Sequence, residues 1–328
     1  MTHMKARNKF TLLTLCVTWV LVGFNPAYSQ YSLDYGGLLG VTNYLGEIGG
    51  TSKPGKGEPG KPFVADMRLD QSKFAIGGWV RYKIHPLVSA KVNITFLRIG
   101  AVDSTSDYVN RRVRNLSFRN DIYELNTQVE YNFYGANNIS PRGRKVIDFT
   151  AYVFGGGGVF WHNPKAKYQG KWEALQPLGT EGQGVILGMK KYNRIQAQLS
   201  GGLGFYYTFN RKWRLGWELG TRMTFTDYLD DVSSRYVDPS LLQDGTPTGD
   251  VAAALSNRTN FEIAEANGLQ VAGATGGIRG NPDKNDWYMY TAATLGYVVR
   301  GKGSFYKQKY RMLTGNKKRK KRTTRAKF

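Results

Sequence analysis

The segment 213–225 alternates strictly between two kinds of side chain, and this alternation constrains the fold more than any other feature of the sequence. One face is apolar and rimmed by tryptophan, whereas the other carries Arg214, Glu218 and Arg222. A period of two predicts a β-strand, because successive side chains of a strand point to opposite sides. In a soluble sandwich the larger apolar side chains would face a core. An apolar face opposite a charged face is instead typical of a strand between lipid and a polar lumen.

The same period of two recurs along the chain and predicts eight strands in all. The fifth segment is interrupted by four consecutive glycines at 155–158. Consecutive glycines indicate strong curvature or a close approach of two backbones, and a flexible loop is the alternative. The predicted strands are 31–44, 74–84, 88–96, 123–133, 149–161, 195–209, 213–225 and 287–299.

The connections between these segments alternate between long and short. An outer-membrane meander has long external loops and short periplasmic turns, so this order predicts an antiparallel meander with both chain ends in the periplasm. The last long connection is rich in glycine and polar residues, and we expect it to be a mobile excursion. The long connections are 49–73, 100–116, 162–194 and 227–286, and the short ones are 85–86, 135–145 and 210–212.

The eight strands must close on themselves, since an open sheet edge in hydrocarbon would leave backbone N–H and C=O groups unpaired. The sequence therefore predicts an all-β fold: an eight-stranded antiparallel up-and-down transmembrane β-barrel of the OmpA/OmpX type over residues 30–300. Eight strands enclose a space that side chains can fill, so we expect a plugged barrel without an open pore. The side chains predicted to form the lumen charge network are Asp34, Glu124, Glu130 and Glu218 with Arg81, Lys83, Lys91, Arg214 and Arg222.

Residues 1–29 have the composition of a secretory signal peptide. Three basic residues precede an apolar run from Phe10 to Phe24, and small residues follow before Gln30. A first transmembrane helix is the alternative, but the run is short for a helical span. The one cysteine, Cys16, lies in this leader, so the mature chain would contain no thiol nucleophile, thiolate metal ligand or disulfide.

The segment 301–328 is a strongly basic tail. From Arg300 to Phe328 there are thirteen Lys or Arg residues and no acidic residue. Such a block suggests nucleic acid in a cytosolic protein, but a periplasmic location argues against it. The remaining choices are a partner protein, anionic lipid or polysaccharide, or a disordered solvated end. Aromatic residues just before the block favour a docking segment. The residues predicted to bind the partner are Lys317, Lys318, Arg319, Lys320, Lys321 and Arg322.

No pattern of catalytic or metal-binding residues stands out. His162 with Asp230 and Asp231 could in principle form a surface hydrolytic site, but nothing in their spacing supports it. We interpret His162, which follows Trp161, as an interfacial residue. The aspartates at 227, 230 and 231 do not fit a calcium-loop register. We therefore expect no enzymatic activity and no cofactor.

Two short motifs resemble a known family. Asn43-Tyr44-Leu45-Gly46-Glu47 and the segment 225–233, which contains Asp227-Tyr228-Leu229-Asp230-Asp231, resemble the outer-membrane barrel family that contains PorG. That family belongs to Bacteroidota-type bacteria, and its namesake is a component of the type IX secretion and gliding machinery. The resemblance implies a non-enzymatic accessory barrel that contacts a periplasmic ring of partner proteins. A generic OmpA/OmpX-type barrel in adhesion or envelope integrity is the alternative.

The motif residues lie where the first and seventh predicted strands meet outer loops. Aspartate side chains commonly accept backbone N–H groups at turns, so we favour an anchoring role for them over ligand binding. The positions that match the motifs are Tyr44, Gly46, Asp227, Tyr228, Asp230 and Asp231.

Overall fold

The computed structural model describes residues 33–49, 69–85, 87–106, 108–137, 148–210, 212–269 and 273–299, and all structural statements below refer to these residues. The predicted signal peptide (1–29) and basic tail (301–328) lie outside the described residues.

Nine β-strands are present in the described part of the chain. Eight of them correspond to the predicted strands, and the ninth is a short addition between the fifth and sixth. The strands are β1 (Leu33–Leu45), β2 (Lys73–His85), β3 (Val88–Val102), β4 (Ser117–Asn137), β5 (Asp148–Tyr168), β6 (Lys171–Ala174), β7 (Ile195–Phe209), β8 (Trp213–Thr224) and β9 (Trp287–Val299).

The eight long strands form a closed antiparallel barrel, as the sequence predicts. Each of them pairs with its neighbours in the sequence, and β1 pairs with both β2 and β9. Asp34, for example, lies opposite Arg81 on β2 and opposite Val298 on β9. The circuit is completed by the pairing of β4 with β5 and of β5 with β7. The short strand β6 pairs with β5 alone and forms a hairpin that extends beyond the barrel.

The helices all lie at one end of the barrel, where β1 ends and β9 begins, which we call the loop end; the opposite end is the turn end. None of the helices in the described ranges is long and apolar enough to cross a membrane. The helices are α1 (Val109–Arg114), α2 (Leu175–Leu178), α3 (Pro247–Ser256) and α4 (Phe261–Ala266), with 3-10 turns at Leu69–Gln71, Asp103–Thr105 and Pro239–Leu241.

The outer surface of the barrel is an apolar belt between two rows of aromatic rings. Toward the loop end, the ring of Phe96 on β3 lies 5.6 Å from Phe74 and 4.9 Å from Tyr123. Toward the turn end, Tyr297 on β9 lies 6.1 Å from Tyr35 and 5.3 Å from Trp213. Two aromatic girdles around an apolar band are typical of outer-membrane barrels. Exposed apolar side chains of the belt are Leu39, Val41, Ile76, Val80, Ile94, Leu125, Val129, Leu199, Leu203, Leu215 and Leu295.

The side chains on the inner face of the barrel change from polar to apolar along its axis. In the belt section most inward side chains are polar, as at Asn93 on β3 and Gln128 on β4, beside small apolar clusters such as that of Leu38 and Trp79. Closer to the loop end the inward positions of the same strands become apolar, as at Ile99 and Phe118, and these side chains are buried in one cluster. The outward positions there are polar, as at Arg119. The barrel wall therefore continues past the belt as a section built like a soluble protein, with its apolar side chains inside.

This change from polar to apolar inward side chains explains why the predicted strand ends differ from those in the structure. We predicted that β4 begins at residue 123 and that β5 ends at 161, but β4 begins at Ser117 and β5 continues to Tyr168. The additional residues keep the period of two with polar outward side chains, so they do not match a lipid-facing pattern. The glycines at 155–158 lie within β5 rather than in a flexible loop. A Cβ on Gly156 or Gly158 would overlap the backbone of β4, which confirms the interpretation as a close backbone approach.

Candidate functional site

Inward-facing charges fill the belt section of the lumen, and they are almost completely buried. On the turn-end side, the Arg81 guanidinium lies 2.7 Å from Glu130 and 3.2 Å from Asp34. Arg214 lies 2.6 Å from the same oxygen of Asp34. The two guanidinium groups also pack over the ring of Tyr206, at 4.8 and 4.5 Å from its centroid. The predicted network is therefore present, and two arginines on different strands share one carboxylate.

A second group of charges continues the network across the lumen. Glu218 accepts hydrogen bonds from Lys91 at 2.5 Å, from Tyr152 at 2.9 Å and from the hydroxyl of Tyr290. Arg222 lies 3.0 Å from Glu124, which also accepts a hydrogen bond from a tyrosine on β9. Of the predicted inward charges, Lys83 is only partly buried and belongs to none of these ion pairs. Paired charges and packed rings thus fill the space that an open pore would need.

The two sequence motifs meet at the loop end of the barrel. Tyr44 is the penultimate residue of β1, and its hydroxyl lies 2.8 Å from Asp230 Oδ2 and 2.5 Å from Asp286 Oδ1. All three side chains are buried. A phenol carries one O–H proton, so it can donate to only one of the two carboxyl groups. The other contact requires a second proton on a carboxyl group, and the three groups therefore share at least two protons.

The glycine of the first motif is required by this contact. A Cβ on Gly46 would overlap the hydroxyl of Tyr44 and the carboxylate of Asp286. Glu47, the next residue, accepts a hydrogen bond from the backbone N–H of Asn281 at 2.6 Å. The first motif thus positions the Tyr44 hydroxyl and leaves space for Asp230 and Asp286. Its glutamate, Glu47, also binds the connection between β8 and β9.

Two aspartates of the second motif, Asp230 and Asp231, accept hydrogen bonds that anchor the loop that carries them. Asp230 Oδ1 accepts the backbone N–H of Val232 at 2.9 Å. Asp231 accepts the hydroxyl groups of Thr180 at 2.5 Å and Tyr192 at 2.7 Å, both from the connection between β6 and β7. The ring of Tyr228 stacks on that of Tyr192 with centroids 4.6 Å apart. Tyr228, Asp230 and Asp231 therefore tie the last connection either to itself or to a neighbouring loop.

Two arginines, the partly buried Arg114 and the buried Arg279, complete this assembly, which we call the loop-end cap. Arg114, at the end of α1, donates to Asp103 at 2.8 Å and to the carbonyl groups of Glu47 and Arg279 at 2.8 and 2.9 Å. Arg279 donates in turn to Glu181 at 2.7 Å, and Glu181 accepts the backbone N–H groups of residues 233 and 234. Residues from all four long connections therefore join in one hydrogen-bonded structure over the barrel mouth.

The last connection is not the mobile excursion that its glycine content suggested. Leu229 and Val232 are fully buried in the apolar cluster at the top of the barrel. Leu242 and Leu255 belong to a second cluster that packs against α2 and β5. Glycine and proline in this segment serve turns and helix starts, as at Pro247 in the first turn of α3. The described part of the connection is a folded lid rather than a solvated loop.

Burial raises the pKa of the cap carboxyl groups. The pKa of Asp230 rises to about 8, first because burial disfavours its charged form and then because of the negative charge of Glu47. Burial likewise raises the pKa of Asp286 well above its usual range, helped by Asp230 and Asp227. The pKa of Asp227 rises to about 9 from burial, with Asp230 and Glu47 adding to it. The cap therefore retains carboxyl protons near neutral pH, as the Tyr44 contacts require.

The position of His162 contradicts our interpretation of it as an interfacial residue. Its side chain points into the barrel and is fully buried, because period two places it on the face opposite Trp161. Its Nδ1 lies 3.3 Å from the amide nitrogen of Asn120, and its ring stacks on that of Tyr192 with centroids 6.0 Å apart. It therefore contributes to the packing beneath the cap, and Tyr192 separates it from Asp231.

Several cap residues were absent from the sequence prediction, above all Asp103, Arg114, Glu181, Arg279 and Asp286. They come from three different long connections, and only the fold shows that they meet. Within the described ranges, no group of three or more His, Cys, Asp or Glu side chains has an arrangement that could hold a metal ion.

The fold and the site define the chain as an eight-stranded barrel of the outer-membrane type with a sealed lumen and a folded cap. The chain belongs to the family described as "Domain of unknown function (DUF6089)", whose model matches residues 12–246. No curated protein matches the sequence. Similar solved structures include Neisserial surface protein A, with 8% identity, a TM-score of 0.35 and coverage of 83% of this chain and 98% of that one.

The attachment invasion locus protein Ail of Yersinia pestis is also similar. One of its crystal structures, in complex with the heparin analogue sucrose octasulfate, gives 8% identity, a TM-score of 0.30 and coverage of 81% of this chain and 98% of that one. The strand pairing described above shows the barrel fold independently of these similarities.

Proposed function

We propose that this chain is a non-enzymatic accessory barrel of the type IX secretion and gliding machinery, which docks a periplasmic ring assembly at the outer membrane. The observation that supports the proposal most is the convergence of Tyr44, Gly46 and Asp230 in one buried network. These residues carry the PorG-like resemblance, and they are far apart in the sequence. A role in building the cap is a physical reason for the two motifs to occur together.

The sealed lumen favours a docking role over transport. A barrel whose interior is filled by ion pairs such as Arg81–Glu130 offers its two ends as the surfaces available to partners. In the proposed orientation the turn end and both chain ends face the periplasm, and the cap faces outward. The basic residues from Lys317 to Arg322 then lie on the side of the ring assembly and serve as its docking segment.

Crosslinking in native envelopes followed by mass spectrometry tests this proposal. We expect crosslinks from the segment 301–328 to periplasmic secretion-system proteins. Replacing the six basic residues at 317–322 with glutamine should lower the recovery of these partners at least fivefold in a detergent pull-down. The matched control replaces Lys190 and Lys191, two exposed lysines of the cap, with glutamine. Equal recovery from all variants would contradict the docking role of the tail.

A second candidate is a role in adhesion or envelope integrity through the cap. It is favoured by the segment 184–191, a tight loop in which the N–H of Gly184 donates to the carbonyl of Met189 at 2.7 Å. Val185, Leu187 and Met189 are exposed on this loop, and Leu187 is completely exposed. Proteolytic removal of the surface loops should then abolish attachment or envelope integrity and leave secretion intact. The opposite result would favour the secretion role.

An enzymatic role has a direct test of its own. A catalytic function centred on His162 requires that His162→Ala abolish an activity of the purified barrel. We expect the substitution to lower stability without removing an activity, because the ring packs between Asn120 and Tyr192.

A further inference from the structure

The outer face of β3, β4 and β5 is layered at the loop end, and the proposed docking role does not involve it. Residues directly opposite each other on neighbouring strands point to the same side, so the register fixes the layers. The ring of Tyr123 lies 4.9 Å from that of Phe96 and 5.7 Å from that of Trp161 in the loop-end aromatic row. Acyl chains of the membrane reach this face up to the aromatic row. Two residues closer to the turn end, the outward positions carry the exposed side chains of Ile94, Leu125 and Val159.

Two arginines lie above the aromatic row and share one carboxylate. Arg98 Nε lies 2.5 Å from Asp121 Oδ1, and Arg119 Nη2 lies 3.8 Å from Asp121 Oδ2. The Arg119 guanidinium also lies over the exposed ring of Trp172 on β6, at 4.2 Å from its centroid. Stacking on an aromatic face fixes the position of a guanidinium whose N–H groups can still donate hydrogen bonds. The Arg119 side chain remains 22% exposed, so an anion can reach it.

Two lysines extend this positive face along β5. Lys165 lies directly opposite Arg119, and like charges at such positions destabilise a sheet. Lys167 is on the same side of β5 and is exposed. Glu173 on β6 points to the other side, because it pairs with a buried residue of β5. Within the described ranges, the ion pairs on this face all involve Asp121, so four cations face one carboxylate.

The height of the cations above the aromatic row distinguishes between two kinds of lipid headgroup. Arg119 and Lys165 lie four residues beyond Tyr123 and Trp161, which is about 13 Å along the strands. With a strand tilt of about 40°, this corresponds to about 10 Å along the membrane normal. The headgroup layer on one side of a phospholipid bilayer is only about 5 to 7 Å thick. A phospholipid phosphate therefore reaches the level of Arg98, whereas a larger phosphorylated saccharide reaches both levels.

We propose that the outer basic face, formed by Arg98, Arg119, Lys165 and Lys167, is a binding site for an outer-leaflet glycolipid with a phosphorylated saccharide headgroup. Arginine pairs with phosphate through two parallel hydrogen bonds, and a phosphate between Arg119 and Lys165 removes their repulsion. The acyl chains pack on the exposed belt directly below. This inference rests on the orientation given under the proposed function, in which the loop end faces outward, and it does not depend on the secretion role.

Native mass spectrometry of the mature full-length barrel tests the proposal. The protein is folded into nanodiscs that contain equal parts of bisphosphoryl lipid A, monophosphoryl lipid A and phosphatidylglycerol, then released and gently delipidated. We expect bisphosphoryl lipid A to be retained about fivefold more than the monophosphoryl form, as for the loss of one contact between an anionic lipid and a basic residue. Phosphatidylglycerol should be retained least. Equal retention of the three lipids would overturn the proposal.

Variants test whether the outer basic face is the site. Lys165→Gln combined with Lys167→Gln should lower the retention of bisphosphoryl lipid A about 25-fold, or about fivefold for each cation. The matched control combines Arg235→Gln with Lys284→Gln, which removes the same charge from exposed positions of the last connection and should have no effect. Heat modifiability in gel electrophoresis shows that each variant is folded. Unchanged retention in the first variant, or equal losses in the two, would overturn the proposal.

A photoreactive amino acid in place of Lys167 tests which molecule covers this face in native envelopes. We expect an adduct with the mass of the glycolipid. A protein adduct instead would assign the face to an acidic polypeptide and overturn the proposal. Retention of lipid A in nanodiscs without a lipid adduct in envelopes would overturn it as well, because the loop end would then not face the outer leaflet.

Failure of this proposal can be distinguished from failure of the docking role. Replacing the six basic residues at 317–322 with glutamine should leave the lipid adduct at position 167 unchanged. Lys165→Gln with Lys167→Gln should leave the recovery of periplasmic partners unchanged. A lipid adduct that disappears with the basic residues of the tail would assign glycolipid binding to the tail and overturn the site proposed here.

Discussion

The hydroxyl of Tyr44 lies 2.8 Å from Asp230 Oδ2, and this contact joins the end of the first strand to a loop 186 residues further along the chain. The same hydroxyl contacts Asp286, at the start of the last strand. The first and last strands are neighbours in the closed barrel, so the cap reinforces the seam at which the barrel closes. Loss of this contact is therefore expected to weaken both the cap and the seam.

Replacing Tyr44 with phenylalanine removes the hydroxyl and leaves two buried carboxyl groups without this partner. We expect the substitution to destabilise the cap by about 1 to 3 kcal/mol, the usual cost of leaving a buried polar group unsatisfied. Hydrogen exchange of the amides of Leu229 and Val232 measures the effect. Tyr123→Phe, at an exposed position of the outer surface, is the control and should leave the exchange rates unchanged. Rapid exchange of these amides in the unmodified protein would contradict the folded cap itself.

Replacing Gly46 with alanine tests whether the motif glycine is required by its neighbours. The added methyl group would overlap the hydroxyl of Tyr44, so the phenol must move away from at least one carboxyl group. We expect a loss of cap stability similar to that of Tyr44→Phe, and little further loss in the double variant. Gly135→Ala provides the matched control, because a Cβ at that position meets no atom within 4 Å. Equal stability of the two alanine variants would show that Gly46 has another role.

The stability of the cap should fall as the pH rises from about 4 to about 8. The pKa of Asp230 is about 8 in the folded cap and near 3.8 when the residue is exposed, so in this range the folded state binds a proton that the unfolded loop has released. The free energy of unfolding then decreases with pH and levels off above the folded pKa. Hydrogen exchange corrected for intrinsic rates, measured between pH 5 and pH 9, reports this dependence.

Asp230→Asn is the informative variant for this dependence, because its amide is neutral at every pH. Asp230→Asn should make the stability of the cap less dependent on pH. Asp283→Asn, at an exposed position of the same connection, should leave the pH dependence unchanged. A cap that becomes more stable with rising pH would show that these carboxyl groups are ionised in the folded state.

The lumen charge network should be far more sensitive to truncation than a comparable pair near the surface. Arg81→Met leaves Asp34 and Glu130 buried with one cation fewer, which should destabilise the barrel by about 3 to 5 kcal/mol in urea unfolding. Arg98→Met removes a partly exposed pair with Asp121 and should cost no more than about 1 kcal/mol. Similar losses in the two variants would mean that water reaches the lumen and screens its charges.

The barrel could be predicted from the sequence because lipid imposes a simple local rule. Every strand in the belt must have apolar side chains at alternate positions. A segment such as 213–225 can therefore be recognised as a strand from its local sequence alone. The inward charges follow from the same period. Arg81, Glu130 and Glu218 could therefore be assigned to the lumen, although the pairs that they form depend on strand register and tilt.

The cap could not be predicted in the same way, because its residues obey no local period. Arg114 and Arg279 lie 165 residues apart, and the sequence around each of them indicates no partner for it until the fold brings the loops together. The extension of β4 and β5 beyond the belt was missed for a related reason. There the apolar side chains face inward, and Phe118 and Ile122 look like part of a polar connection when only lipid-facing patterns are sought. The burial of His162 follows from its own face of the strand, which is opposite the face of its neighbour Trp161.

The seam contacts also set the order in which the molecule can be completed. Tyr44 is made early in synthesis, but its partner Asp286 lies 242 residues later, directly before the final strand. Because Asp286 directly precedes β9, its contact with Tyr44 depends on the pairing of the last strand with the first. A chain that ends before residue 286 would lack both this carboxyl partner of Tyr44 and the strand that closes the barrel.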